Sequence, residues 1–389
     1  MASRFSTIFG PPQEAKSLLD FHSILSPSAG IRVSPLCLGA MNFGNAWEEG
    51  MGKCDKETAF EMMDFFWEKG GNFIDTSSNY QNEQSEMWIG EWMAARGNRD
   101  QMVIATKFTT TFPDPLHNPP LQKKNYAGNS TKSLRLSLEA SLRKLQTDYV
   151  DVLYVHWWDF TTGVEELMQS LNQVVQQGKV LYLGVSDTPA WIVSKANQYA
   201  RDHALRPFSV YQGRWSAADR DFERDIIPMA RSENMALAPF GALGGGNFTV
   251  AEKAANNEQG RNFRPQTEEQ RIISEHLATL AERKGTKITS VALAYVRHKA
   301  PFVFPIVGGR KVEHLKGNIE ALEVALTEEE IDEIDSAIKF DIGFPLNFTF
   351  GPGYKSSMTS KDMGLLSFAG ALTTPQNQVF ARPEIHKMK

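Results

Sequence analysis

The amino-acid sequence predicts a (β/α)8 TIM barrel with extended rim loops and an extra C-terminal segment. Three observations carry that expectation. From Arg32 onward, eight short apolar runs alternate with longer amphipathic stretches, the count of a barrel of about 250 residues. Several runs, residues 150–155 and 180–185 among them, are apolar at nearly every position, as strands covered on both faces are in a parallel sheet. No Gly-x-Gly-x-x-Gly turn occurs in the chain, which speaks against the competing doubly wound sheet.

In order, the runs are residues 33–38, 72–74, 102–106, 150–155, 180–185, 208–211, 235–238 and 302–306. Helical patterns fill residues 57–69, 85–95, 133–145, 164–177 and 190–201. In 133–145, Leu134, Leu138, Leu142 and Leu145 recur at three and four, the spacing of one buried helical face. Long loops at 108–131 and 241–265 follow strands, so in a barrel they fall on the C-terminal rim, where active sites are built. We read residues 1–31 as an N-terminal extension, 32–340 as the barrel, and 341–389 as a tail that either packs over the rim or hangs free.

Composition narrows the function. With 41 Lys and Arg against 46 Asp and Glu, the 389-residue chain carries a formal charge of −5 and no basic run. A nucleic-acid or anionic-membrane partner therefore has no electrostatic footprint. Two cysteines, Cys37 and Cys54, are too few for a disulfide scaffold or a CxxC metal pair. Without a secretory signal or a long apolar span, a cytoplasmic protein is expected. The oligomeric state is open between monomer and homodimer.

Polar residues at the ends of apolar strands are the anomaly. Asp75 ends the second run, with Tyr80 five residues later; Lys107 ends the third and His156 the fourth. Singly, these read as an edge carboxylate, a snorkelling lysine and a hydrogen-bonded core histidine. Together they have a chemical logic. A tyrosine with a pKa near ~10 is a poor acid at neutral pH unless its phenolate is stabilised. A lysine does that, and an aspartate keeps the lysine charged and aimed. A histidine alongside can hydrogen-bond a carbonyl oxygen. No nucleophile and no metal-ligand set accompanies them.

These motifs resemble the aldo-keto reductase family. The run GGNFIDTSSNY (70–80), Lys107, and His156 in YVDVLYVHWW (149–158) match that family's tetrad position for position. The similarity extends from about Val33 to Asp335. It implies that Tyr80 is the general acid, that Lys107 and Asp75 tune it, and that His156 orients the carbonyl.

The resemblance also implies a nicotinamide cofactor. Ser186 and Asp187 fall where the family holds the carboxamide, although Asp187 replaces the usual Asn and cannot donate a hydrogen bond when ionised. Gln212 matches the carboxamide-binding Gln, and Phe240 the ring-stacking position. Gly309, Arg310 and Lys311 before a helix form a phosphate cradle, a solvated turn being the alternative. The Arg310 fork suits a 2′-phosphate and so NADP, with His314 and Asn318 matching positions near the 2′-phosphate and the adenine.

Within the family, residues 156–163 and 177–191 resemble the fungal aryl-alcohol dehydrogenases and norsolorinic acid reductase-like proteins. That implies an aromatic carbonyl substrate, possible polyketide intermediates included. Phe43, Trp47, Trp157, Trp158 and Trp215, all just after strand ends, are the candidate aromatic lining. Two other readings stand beside the reductase: an NADP-binding regulatory or sensor protein with little turnover, and a Schiff-base aldolase using Lys107.

Overall fold

The computed structural model describes residues 14–113, 121–249, 266–351 and 364–370. Parts of both expected rim loops (114–120 and 250–265), residues 1–13 of the N-terminal extension, and most of the tail lie outside them.

Strand parity organises the structure. Strands β3 (Cys37–Gly39), β4 (Phe73–Asp75), β5 (Val103–Phe108), β6 (Val150–Val155), β7 (Val180–Ser186), β8 (Phe208–Arg214), β9 (Ala236–Phe240) and β10 (Ile306–Val307) form one parallel sheet in the order β10-β3-β4-β5-β6-β7-β8-β9. Because side chains alternate faces, Cys37, Phe73, Val103, Ala105, Val152, Tyr154, Val210, Ala236 and Ala238 pack into one inner core. Leu38, Ile74, Ile104, Leu153, Leu183 and Leu237 face outward into the larger layer beneath the helices. This is the (β/α)8 barrel that the alternating pattern predicts.

Two expected strands resolve differently, each for a reason in the backbone. The run 33–38 is divided. Val33 ends β2 (Ala29–Val33), which pairs antiparallel with β1 (Ser23–Ser26). The β1–β2 hairpin carries Leu25, Ala29 and Val33 into the inner core, at the barrel's N-terminal end. The run 302–306 is divided as well. Val303 bridges Leu237 of β9, Pro305 accepts from the Cys37 N–H at 3.0 Å, and Ile306–Val307 pairs with β3. Lacking an N–H, Pro305 interrupts the ladder, and the segment thereby joins β9 to β3 and closes the barrel.

Helices take their predicted positions within a residue or two. Thr131–Leu145 starts at Ser130, whose side chain accepts from the Ser133 N–H, and buries the four leucines. It crosses Gln84–Arg96 at Gly90, where a Cβ would run into the Lys144 carbonyl and the Leu145 backbone. Glu268–Lys284, capped by Thr267 and Gln270, and Ile288–Lys299 both lie between β9 and β10, so among the described residues this connection carries two α-helices. At the start of the tail, Phe340 sits over the guanidiniums of Arg220 and Arg224, and Arg224 donates to the Asp341 carbonyl.

The Gly90 contact generates a stability test. Gly90→Ala should destabilise the fold by about 1–3 kcal/mol, the usual cost of overpacking. Gly30→Ala, at a position with open space around it, should be near neutral. Denaturant titrations of both variants check the contrast.

Candidate active site

The inward-facing parity of the strands continues past the apolar core into polar residues at their C-terminal ends. Asp75 follows Phe73, Lys107 follows Ala105, His156 follows Tyr154, Ser186 follows Gly184, Gln212 follows Val210 and Phe240 follows Ala238, each two residues on. Except for Lys107, all of these line a cavity of about 680 Å³ together with Tyr80 and Asp187. Lys107 lies buried behind Asp75 and Tyr80.

Lys107 has no exposed surface. Its Nζ donates to Asp75 Oδ2 at 2.6 Å, to the Thr76 carbonyl at 2.7 Å and to Tyr80 Oη at 3.3 Å. Asp75 Oδ1 accepts from Gln212 Nε2 at 2.8 Å, so both carboxylate oxygens are engaged. Burial alone would push the lysine pKa down, but Asp75 and Tyr80 outweigh it and hold it above its ordinary value. Burial raises the Tyr80 pKa, and Lys107 offsets that in part. Tyr80 is thus fully protonated at neutral pH, a loaded acid whose conjugate base faces an ammonium. The His156 ring lies edge-on to Tyr80 with centroids 6.0 Å apart. Burial, then the charge of Lys107, drops its pKa to about 3, so it is neutral.

Tyr80 sits in a loop held from several sides. The Ser78 N–H donates to the Lys107 carbonyl at 3.2 Å, and Lys144 Nζ donates to the Ser78 carbonyl at 2.8 Å. Lys144 also pairs with buried Glu86 at 2.7 Å, which accepts from Thr106 Oγ1 at 2.5 Å. After Tyr80, three non-glycine residues in a row, Gln81, Asn82 and Glu83, adopt φ of 52°, 50° and 78°. Left-handed conformations cost energy in such residues. Buried Gln81 helps hold them, accepting from the Trp47 N–H at 2.8 Å and donating to the Met41 carbonyl at 3.1 Å.

A second cavity of about 450 Å³ shares Gly241, Gly245, Ile306 and Gly308 with the first. It runs between Gly241–Gly246 and Gly309, Arg310, His314 and Asn318. Together they form one groove from Tyr80 to Arg310. The residues present fit a dinucleotide. Ser186 Oγ is buried with no hydrogen-bond partner among the described residues, a polar atom awaiting a ligand group at the tetrad end. Gly244, Gly245 and Gly246, with φ of 67°, 65° and 99°, leave bare backbone along the middle. Arg310 lies against Gly52, where a Cβ would collide with the guanidinium.

Other expected residues are placed differently. Lys311 is exposed at the N-cap of Val312–Glu320 and is not among the residues lining the groove. Phe43 and Trp215 have no exposed surface; Phe43 packs in the outer core and Trp215 stacks on Phe222 at 5.6 Å, so neither offers a face to a ligand. Trp158 is nearly buried against Phe160. Trp47 stands edge-on to Tyr80 at 6.3 Å, its Nε1 donating to Asn82 Oδ1. Trp157 remains 38% exposed at the rim, its Nε1 donating to Thr110 Oγ1 at 3.0 Å. Gln212, expected at a carboxamide, donates one amide N–H to Asp75 and lines the cavity beside it.

Sequence reasoning missed Arg214, which lines the cavity and pairs with Asp219 at 3.4 Å. Parity was the available signal, since 210, 212 and 214 share a face. It also missed Ser77 and Thr110, both beside His156, because their rotamers and loop turns have no signature in the sequence. Among the described residues no cluster of His, Cys, Asp and Glu could hold a metal ion. None of their helices is long and apolar enough to cross a membrane.

Comparison with known proteins bears directly on this constellation. Residues 35–339 match the aldo/keto reductase family model. The chain is 59% identical to a norsolorinic acid reductase of Aspergillus flavus over 368 residues, covering 94% of each chain. It is 56% identical to an aryl-alcohol dehydrogenase of Pestalotiopsis microspora over 340 residues, covering 87% of this chain and 88% of the relative. It is 51% identical to an aldo-keto reductase of Emericella nidulans over 350 residues, covering 88% of each. With eight parallel strands presenting Asp75, Lys107 and His156 beside Tyr80, and a family match across most of its length, this chain belongs to the aldo-keto reductase family.

Proposed function

We propose that this protein is an NADPH-dependent reductase of aryl aldehydes or aryl ketones, acting reversibly, with Tyr80 as the general acid. The observation that carries the reading is the buried chain Gln212–Asp75–Lys107–Tyr80 at one end of a groove whose other end is bordered by Arg310. Relatives named as norsolorinic acid reductase and aryl-alcohol dehydrogenase support the aromatic substrate class.

When bound, the nicotinamide cofactor supplies hydride to the carbonyl carbon. The protein's part is the oxygen. As negative charge develops there, Tyr80 gives up its phenolic proton, and the phenolate left behind faces the Lys107 ammonium 3.3 Å away. Asp75 keeps that ammonium charged. Neutral His156 binds the same oxygen and positions it. In the reverse direction Tyr80 takes the proton back. At the cofactor end, Ser186 Oγ and the Gln212 oxygen would meet the carboxamide, Phe240 the ring face, the 244–246 backbone the pyrophosphate, and Arg310 with His314 the 2′-phosphate. Asn318 would border the adenine.

Asp187 is the departure from this pattern. It holds φ 41° at the cavity wall, a conformation Asp and Asn tolerate better than most residues. Desolvation at the cavity wall raises its pKa to about 6, Lys107 and Arg214 opposing the shift. At neutral pH it is ionised, so it would accept from the carboxamide NH₂.

Tyr80→Phe should leave NADPH affinity, read by tryptophan quenching, nearly unchanged. It should cost carbonyl turnover at least about 10²-fold, the general-acid factor; full activity would remove Tyr80 from its role. Arg310→Ala should weaken NADPH binding roughly 10- to 100-fold, as expected for charge-assisted hydrogen bonds, and affect NADH far less. Equal losses would mean that Arg310 does not read the 2′-phosphate. For Asp187 the sign follows from the raised pKa. A carboxyl near 6 when folded and about 3.9 when unfolded disfavours the fold increasingly as pH rises from 4 to 6, and constantly above. Asp187→Asn should therefore raise the melting temperature at pH 8, with the gain shrinking as pH falls through 6 to 4.

A further inference from the structure

His156 Nδ1 has two hydroxyl neighbours, Thr110 Oγ1 at 3.2 Å and Ser77 Oγ at 3.3 Å. Which way the hydrogens run follows from counting them. Trp157 Nε1 can only donate, and it donates to Thr110 Oγ1 at 3.0 Å. Ser77 places its single hydrogen on Asn79 Oδ1 at 2.9 Å. Thr110 therefore accepts from Trp157, and among the described residues its own hydrogen has one acceptor in reach, His156 Nδ1. Were Nδ1 protonated, Ser77 could accept that proton, but the Thr110 hydrogen would be stranded.

We propose that Thr110, oriented by the Trp157 indole, donates to His156 Nδ1 and so fixes the neutral imidazole as the tautomer carrying its proton on Nε2, the nitrogen free to donate to a carbonyl oxygen.

The backbone agrees. Thr110 follows Thr109, whose φ of 102° is an outlier for a β-branched residue. Strain of this kind persists only where the surroundings over-determine it. Here Thr109 Oγ1 accepts from Asn129 Nδ2 at 2.9 Å and from the His156 N–H at 3.2 Å, and the Thr109 carbonyl accepts from the Gly128 N–H at 2.8 Å. The 127–129 segment is in turn tied to the loop after β6, Asp159 accepting from the Asn129 N–H at 2.7 Å. The turn that brings Thr110 to the imidazole is thus built from the same loops that carry His156 and Trp157. Thr110 and Trp157 are positioning residues, acting through His156. Trp157, placed by its sequence position in an aromatic wall, is bound by its polar edge to this relay.

The consequence for turnover rests on the reductase reading; the tautomer does not. The test therefore begins with the apo protein labelled with ¹⁵N-histidine, the His156 signal being assigned by its loss in His156→Gln. Two-bond ¹H–¹⁵N correlations should show Nδ1 unprotonated and Nε2 protonated at pH 7. Thr110→Val should shift the signal toward a mixture of tautomers, Trp157→Phe should shift it partway, and Thr110→Ser should restore it. A wild-type Nδ1–H tautomer, or a Thr110→Val spectrum like wild type, would overturn the proposal whatever the activity. In NADPH-linked reduction of an aryl aldehyde, Thr110→Val should lower kcat about tenfold, the loss of one well-placed hydrogen bond, with the KM for NADPH unchanged and Thr110→Ser near wild type. If Thr110→Val does not fold, the wild-type and Thr110→Ser spectra still decide.

Discussion

A lysine ammonium with no exposed surface, 2.6 Å from a carboxylate at the mouth of a barrel, is the constraint on which the site depends. An unpaired buried charge is strongly disfavoured, and removing one partner of a buried pair typically costs about 3–5 kcal/mol. Asp75 is therefore obligatory once Lys107 is inside. Its second oxygen must be satisfied too, which assigns Gln212 its amide donor. The third Lys107 proton goes to Tyr80, and that fixes where the phenol can stand. A structural demand for charge compensation and a chemical demand for a tuned phenol are met by the same three bonds.

The demand spreads outward through the loops. Tyr80 is reached only by a chain that leaves β4 and then passes through three left-handed residues before the helix Gln84–Arg96 begins. That path is braced from behind by Lys144 and Glu86, which belong to helices and not to the site. Across the cavity, strained Thr109 plays the corresponding part for His156. Strain at residues 81–83 and at 109, flanking the two residues that would touch a substrate oxygen, marks where the scaffold's regular geometry yields to function.

Most of the fold was legible because a parallel barrel writes itself twice: as nearly continuous apolar strands, and as helices with one buried face. Asp75, Lys107 and His156 were legible for a related reason, since polar residues ending apolar strands break the pattern that the core requires. The misplaced features have equally physical origins. Val33 reads as the start of a barrel strand but pairs backward into a hairpin, because apolar alternation does not report strand direction. Phe43 and Trp215 follow strand ends, as wall residues do, yet rotate into the outer core. Sequence position after a strand gives the rim; it does not give the side of the rim.

The indole of Trp157 shows how two readings of one residue can be reconciled by its chemistry. Its exposed face suits a flat apolar neighbour, and its N–H is spent on Thr110. An aromatic molecule packing on that face would press on a ring whose polar edge is one hydrogen bond from the hydroxyl beside His156. A phenylalanine would offer a similar face without that link. On the proposed reading, substrate class and proton placement would in this way be coupled through a single side chain, and the link to His156 follows from donor count. An indole cannot accept, so the hydroxyl it binds must pass its own hydrogen on, and among the described residues the acceptor in reach is the histidine Nδ1.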